Sequence, residues 1–396
     1  MDHKVVVENL VKIFGKNPSR GVELLQQGVA KDEILSSAKL TIGVADVSFH
    51  VDAGEIFVVM GLSGSGKSTL LRCLNRLHEP TAGKIVIDGE DITAMTRPAL
   101  REFRRTKIGM VFQNFALYPN RTILDNVAFG LEIRGVEKDA RQKIAQETIE
   151  LVGLDGWENQ YPSELSGGMQ QRVGLARALA LDPDILLMDE PFSALDPLIR
   201  KEMQEELLRL QEKMNKTIIF ITHDLDEALS LGDRIAIMKD GWVVQLGTAE
   251  EILNNPEDEY VVKFTEDVDR SKILIAESVM HKPLAVALLE KDGVNVILRK
   301  IDKHGLSSIL VVDGTHRVVG GLHPEDLVRA KKEGLSIKDI PVHEVSQTLL
   351  STPLRSLLEM SSDTAFPLAV VDEDQKLVGV IARSHMLAAL ARRGVI

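Results

Sequence analysis

The run Gly61-Leu62-Ser63-Gly64-Ser65-Gly66-Lys67-Ser68-Thr69 matches Gly-x4-Gly-Lys-Ser from Gly61 to Ser68. Its glycines let the backbone wrap closely around phosphate, so that successive N–H groups turn inward as an anion nest. Lys67 adds a point charge for the outer phosphates, and the Ser68 hydroxyl can ligate Mg2+. The candidate phosphate-binding residues are therefore Gly61, Ser63, Gly64, Ser65, Gly66, Lys67, Ser68 and Thr69.

Three further groups have the chemistry to complete such a site. Ile185-Leu186-Leu187-Met188 is a continuous apolar run ending in Asp189-Glu190, which is how a buried parallel strand delivers carboxylates at its carboxyl end. Asp189 is placed to hold Mg2+ through water, and Glu190 to act on an attacking water. A second apolar run, Thr217–Thr222, ends at His223, which can donate to a phosphate or position the Glu190–water pair. Gln113 follows a third run, Ile108–Phe112, and its amide oxygen can ligate the metal or water. Ser166-Gly167-Gly168-Met169-Gln170 opens a long helical pattern, and small residues there make a second anion site.

The elements that must hold these residues are legible too. Glu55–Met60 reads as the strand before the glycine loop, and Leu70–Leu77 as the helix after it, starting near Lys67. A chain of 396 residues supports two or three cores, and 44% hydrophobic residues is ordinary for a globular protein. No apolar run is long enough to span a bilayer, and no leader or lipidation signal stands at residue 1, so the chain reads as soluble and cytoplasmic. The single cysteine, Cys73, can form no internal disulfide. A net charge of −12 argues against nucleic-acid binding, which needs a basic face.

The glycine loop, Gln113, Leu165–Gln170, Asp189-Glu190, Ser193-Ala194-Leu195-Asp196 and His223 occur in the order seen in ATP-binding cassette (ABC) ATPases, which the chain resembles. The resemblance implies an α/β fold with a RecA-like core over residues 1–268, a helical subdomain near 114–180, and ATP with Mg2+ as ligands. It implies a head-to-tail homodimer in which Ser166, Gly167, Gly168 and Gln170 complete the pocket of the other copy. It makes Ser68, Gln113 and Asp189 the metal set, Glu190 and His223 the catalytic pair, and Asp196 the loop that communicates across the dimer. An aromatic usually stacks on adenine in this family, and Phe14 stands where it should. An insertion from Lys16 to Leu40, amphipathic through Leu24, Leu25, Gly28, Ile34 and Leu35, follows it.

Beyond Arg270 a shorter pattern repeats. Ile309–Asp313 with Val318-Val319-Gly320 returns as Leu368–Asp372 with Leu377-Val378-Gly379, and both Asp and Gly recur after 59 residues. Helices are expected at Pro324–Ala330 and Ser384–Ala391. Paired small modules of this kind bury a face against each other. They resemble a tandem cystathionine-β-synthase (CBS) pair, repeats 273–334 and 335–396, which implies sensing of an adenine nucleotide, cyclic di-AMP or ionic conditions, or alternatively a docking module without ligand. The ribose-binding Asp usual near the end of a repeat is offered by Asp326 in the first and by nothing in Ile381–His385 of the second. Arg383, His385, Arg392 and Arg393 make the end basic, a cluster suited to an anionic lipid surface or to a solvated face.

An ABC ATPase with these repeats and this insertion resembles the ATPase subunit of glycine betaine/proline osmolyte importers. That implies integral-membrane permease subunits and a substrate-binding domain as partners, at the cytoplasmic face of the membrane, with Gln113 near the permease contact. Glycine betaine leads as the solute, with proline betaine, carnitine and choline open. The alternatives are an importer of another amino acid or small polar solute, a nucleotide-binding regulator, or a non-transport ABC ATPase.

Overall fold

The computed structural model describes residues 3–266, 268–362 and 364–391. The chain divides into two compact units, Met1–Thr265 and Glu266–Ile396.

In the first unit β1 (His3–Phe14) and β2 (Thr41–Asp52) are joined through α1 (Pro18–Gln26) and α2 (Lys31–Ala38). β3 (Ile56–Met60) leads through the glycine loop into α3 (Lys67–Leu74), followed by β4 (Ala82–Ile87), β5 (Glu90–Asp91), α4 (Arg97–Lys107) and β6 (Ile108–Val111). α5 (Ile123–Ile133), α6 (Lys138–Leu151) and α7 (Gly167–Leu179) pack on one another as a helical layer. Then come β7 (Ile185–Asp189), α8 (Pro197–Met214), β8 (Thr217–Thr222), α9 (Leu225–Leu231), β9 (Arg234–Lys239), β10 (Trp242–Gly247), α10 (Ala249–Asn254) and α11 (Glu259–Phe264).

The larger sheet runs β10-β9-β3-β8-β7-β6 and is parallel except for β10. Every residue of β3, β7 and β8 is buried, as expected of strands covered on both faces. β3, β7 and β8 are adjacent, so their carboxyl ends bring the glycine loop, Asp189-Glu190 and His223 to one edge. The smaller antiparallel sheet runs β2-β1-β4-β5. Its inner face packs on the larger sheet through Phe49, stacked on Phe57 with ring centroids 4.9 Å apart.

The insertion is a helical pair. Ile34 is fully buried with Ile13, Leu40 and Ile42, and Gly21 lies so close to Ile13 that a Cβ would collide with it. Leu35 points away and is 49% exposed, so the amphipathic reading holds for Ile34 but not for Leu35. Two other boundaries differ from the sequence reading. α3 stops at Leu74, because Asn75 and Arg76 turn the chain, Arg76 with φ 52°. β6 stops at Val111, leaving Phe112 and Gln113 in the following loop.

The second unit holds α12 (Ala276–Val279), β11 (Val286–Leu288), α13 (Val294–His304), β12 (Ile309–Val312), β13 (Val318–Leu322) and α14 (Pro324–Glu333), then β14 (Gln347–Leu349), α15 (Leu354–Ser361), β15 (Leu368–Val371), β16 (Leu377–Ile381) and α16 (Arg383–Ala391). Sheets β11-β12-β13 and β14-β15-β16 share a pattern, a parallel pair followed by an antiparallel one. Ile309↔Leu322 in the first recurs as Leu368↔Ile381 in the second. Two quasi-equivalent bridges, His281↔Val380 and Gly321↔His343, tie each sheet to the approach to the other. The repeat seen in the sequence is thus a repeat of hydrogen-bond register.

Candidate functional site

The glycine loop owes its path to positions that tolerate no side chain. Gly61, Gly64 and Gly66 have φ of 150°, 81° and 107°. A Cβ on Gly66 would strike the carbonyl of Gly43, and one on Gly61 the carbonyl of Met238. Gly66 also stands at the N-cap of α3, so the first-turn N–H groups of that helix face the loop. Ser65 Oγ is buried without a hydrogen-bond partner among the described residues. A closely wrapped backbone with an orphaned hydroxyl fits a phosphate group.

Lys67 is only 5% exposed and donates to the carbonyls of Gly61 at 2.8 Å and Leu62 at 3.2 Å. Its ammonium lies 3.9 Å from Glu190 Oε1. Burial pulls its pKa below the ordinary lysine value, opposed by Glu190 and Asp189. Ser68 Oγ donates to Asp189 Oδ1 at 2.9 Å, which juxtaposes two hard oxygen donors of the kind Mg2+ takes.

Glu190 follows the last residue of β7 in the left-handed region, with φ 47°. A non-glycine residue there carries about 1–3 kcal/mol of strain and persists only where its surroundings fix it. Here the Glu190 N–H donates to Ile221 O on β8. The carboxylate meets His223, whose Nδ1 is 2.9 Å from Glu190 Oε2. Gln113 reaches the same turn differently from the reading as a metal ligand: its Nε2 donates to Ser193 Oγ at 3.1 Å, and Ser193 Oγ donates to Glu190 O.

A neighbouring network was not found from sequence. Asp196 caps α8, accepting from Leu198 and Ile199 N–H. One turn on, Arg200 pairs with Asp224 at 3.0 Å, and Gln204 donates to Glu227 at 3.0 Å. Asp224 in turn caps α9 directly after His223. The helix behind Asp196 is thereby pinned to the helix behind His223. Glu227 is 4% exposed, and burial raises its carboxyl pKa. An acid at a helix start is an everyday solvated feature in sequence, so nothing marked Glu227 as buried.

Ser166 caps α7, its Oγ accepting from Met169 N, and Gln170 donates to Leu165 O. Ser166 and Gly167 are exposed, whereas Gly168 is buried against Ile199 at the start of α8. Among the described residues 166–170 share no hydrogen bond with the glycine loop. Phe14, 36% exposed, lies beside Thr69 across Gly43, where an added Cβ would meet both side chains. Its ring is edge-on to His78 at 5.3 Å with the Lys12 ammonium 4.9 Å above it.

In the second unit a cavity of about 610 Å³ opens between the two repeats. Its lining includes apolar Leu284, Leu306, Phe366 and Pro367 together with His281, Lys282 and His385. The His281 and His385 rings lie 4.0 Å apart, edge to face. Arg383 also lines it, its guanidinium donating to the carbonyls of Ser361 and Ser362. Arg392 and Arg393 lie outside the described residues. Asp326 is committed elsewhere: it caps α14 through His323 N–H and pairs with His343 at 3.0 Å.

A parallel sheet carrying a glycine loop, a Lys–Asp–Glu–His cluster at one edge and a capped anion site on a helical layer define an ABC ATPase, here followed by a CBS pair. Comparison agrees: the ABC transporter family matches residues 44–193, and the CBS domain family residues 276–333 and 337–392. The chain is 56% identical to the glycine betaine/carnitine transport ATP-binding protein GbuA of Listeria monocytogenes, over 98% of both chains. It is 55% identical to the glycine betaine transport ATP-binding protein OpuAA of Bacillus subtilis, over 98% of this chain and 92% of that one. A dimeric post-hydrolysis structure of the ATP-binding cassette MJ0796 with ADP and Pi covers 62% of this chain and 98% of its own, with 33% identity and a TM-score of 0.53. The chain belongs to the family of ABC transporter ATP-binding subunits that carry CBS domains, and it is an ATPase of transport.

Proposed function

We propose that this chain energises import of a compatible solute in osmoregulation, with glycine betaine the leading cargo and proline betaine, carnitine or choline the variants. The observation that carries this reading is likeness across both units, cassette and repeats together, to glycine betaine transport proteins. The phosphates of ATP enter the Gly61–Thr69 nest, where Lys67 trades the Gly61 and Leu62 carbonyls for phosphate oxygens. When bound, Mg2+ offsets phosphate charge; Ser68 and Asp189 would hold it, with Gln113 the third donor. Glu190 orients the attacking water and takes its proton, while His223 fixes the Glu190 carboxylate and reaches the γ-phosphate. Phe14 stacks on adenine.

Two copies work together. Ser166, Gly167, Gly168 and Gln170 of one copy cover the nucleotide of the other, and Asp196 reports across the interface; the exposure of Ser166 and Gly167 and the dimeric cassette relative support this. Permease subunits and a substrate-binding domain complete the transporter, which holds this chain at the cytoplasmic face of the membrane, and nucleic acid plays no part. The repeats regulate transport by binding an adenine nucleotide or cyclic di-AMP in the cavity between them. A lipid-surface role is less favoured, because the Arg383 guanidinium is already engaged by main-chain carbonyls. Uptake of labelled glycine betaine at low and high salt, in cells lacking osmolyte transporters and expressing this chain with its permease, tests the reading. Salt-stimulated uptake lost in Glu190→Gln supports it; no betaine uptake from an assembled complex refutes the cargo.

A further inference from the structure

In the first unit β1 breaks register with both neighbours at one place, with β2 between Val7 and Leu10 and with β4 between Glu8 and Val11. Asn9 stands at this double bulge with φ 47°, and its N–H donates to Ser48 Oγ at 2.8 Å. Gly83 on β4 approaches so closely that a Cβ there would strike the Asn9 carbonyl. Bulges bend a strand and re-aim side chains. Asp46 on β2, itself left-handed at φ 49°, meets the bulge: its Oδ1 accepts from Asn9 Nδ2 at 2.9 Å. Its other carboxylate oxygen has no partner among the described residues. A cavity of about 290 Å³ is lined by this bulge together with α1 of the insertion and the start of β10. Val22 and Leu25 of α1, with Ala82, supply apolar surface, and Trp242 supplies an indole. Asp46 is the one charged side chain in the lining among the described residues, and no residue of the ATP site takes part.

We infer that this cavity binds a small organic cation of the quaternary-ammonium type. Its volume stands at the small end of ordinary ligand sites. A carboxylate with no ammonium or guanidinium in the same lining attracts a cation and rejects an anion. A divalent metal ion would want about six oxygen ligands, which an apolar lining with one free carboxylate oxygen does not supply. Methyl groups around the charge suit Val22, Leu25 and Ala82, and the indole of Trp242 is the side chain best able to hold such a cation through its ring quadrupole. Val22 and Leu25 belong to the insertion Lys16–Leu40, which thereby becomes part of a second binding site on the cassette. Choline, one of the solutes proposed above as cargo, carries this head group; on that reading the ATPase subunit meets the solute again after import.

The chain has two tryptophans, Trp157 and Trp242, so Trp157→Phe leaves Trp242 as its only indole. The full-length chain with that substitution is titrated with choline chloride, sodium chloride keeping the ionic strength constant. Trp242 fluorescence should change saturably with a Kd in roughly the millimolar range, as one cation–π contact and one exposed carboxylate would give. The uncharged carbon analogue of choline, with a tert-butyl group in place of trimethylammonium, should bind at least about tenfold more weakly. Asp46→Asn in the same background removes the charge, keeps an acceptor for Asn9 and tolerates the left-handed backbone; choline should weaken about two- to fivefold, with the basal ATPase rate unchanged. No saturable response in a chain that hydrolyses ATP normally would overturn the site. So would equal binding of choline and its uncharged analogue, or unaltered choline affinity in Asp46→Asn. Each of these failures leaves the cargo reading standing, because that reading is decided by uptake.

Discussion

The cassette and the CBS pair use opposite means to make a site. In the cassette the backbone decides: Gly61 and Gly66 lie where a Cβ would strike a carbonyl, Glu190 is turned by a left-handed φ, and three adjacent strand ends bring Lys67, Glu190 and His223 together. In the pair the strand register is the same twice, and side-chain volume together with an approach one residue longer sets the cavity beside His281 and His385 apart from the packed side of Phe366, His323 and His343. Repetition of a fold therefore does not repeat a site. The largest effect expected on the cassette side is that of Glu190→Gln, which keeps shape and removes the base. Turnover should fall by about 10²–10⁴-fold with ATP still bound, seen as lost phosphate release and retained nucleotide. Substantial residual hydrolysis would take Glu190 out of that role.

Gly66→Ala attacks the same idea through the backbone. It adds one methyl group and no charge, but at φ 107° and against the Gly43 carbonyl the loop must move. ATP affinity should drop at least about tenfold, as strain of about 1–3 kcal/mol is imposed on the bound geometry. Lys67→Ala should weaken nucleotide as well. Normal ATP binding by Gly66→Ala, measured by equilibrium titration, would mean that side chains rather than loop path govern the cassette, and the contrast with the pair would collapse.

That contrast also explains what could be read in advance. The glycine loop, the apolar runs ending at Asp189-Glu190 and His223, and the Ser166 cap were legible because residue types that are rare in combination report backbone geometry directly. The repeat of 59 residues was legible for the same reason, since Asp and Gly recur at its turns. What escaped was decided by long-range packing. Ser193 as the partner of Gln113, and the Arg200–Asp224 and Gln204–Glu227 links between α8 and α9, join residues of unremarkable local type. Phe366 of the second repeat packs against Gly321 of the first, and no local pattern announces that.

Gly321→Val probes the pair directly, since it gives the packed side the residue of its counterpart position, Val380, without removing Phe366. Overpacking of this kind destabilises by about 1–3 kcal/mol. The unfolding free energy of the second unit should fall by that amount, seen as a lower melting temperature, while the ATPase rate of the cassette is unchanged. The reciprocal Val380→Gly, at a residue only half-buried, should have a smaller effect. Equal effects from the two would show that the halves are packed alike, and side-chain volume would not set the two sides apart.

The smallest effect expected tests a place where the cassette behaves like the pair, by buried side chains. Glu227, held by Gln204 and close to Thr222, Asp224 and Arg200, has its carboxyl pKa raised above the ordinary 4.5, chiefly by burial. The native state then binds its proton more tightly than the unfolded chain does. The penalty of burying the charge is present above the raised pKa and fades as pH falls through it, disappearing below about 4.5, the unfolded value. Glu227→Gln keeps a hydrogen-bonding side chain and carries no charge, so it should melt higher than wild type near pH 8, by roughly 2–4 °C for a penalty on the order of 1 kcal/mol. The gap should close as the pH is lowered toward 4.5. A gap that stays constant across that window would show that Glu227 is not the titrating group, and that the link between α8 and α9 is neutral packing.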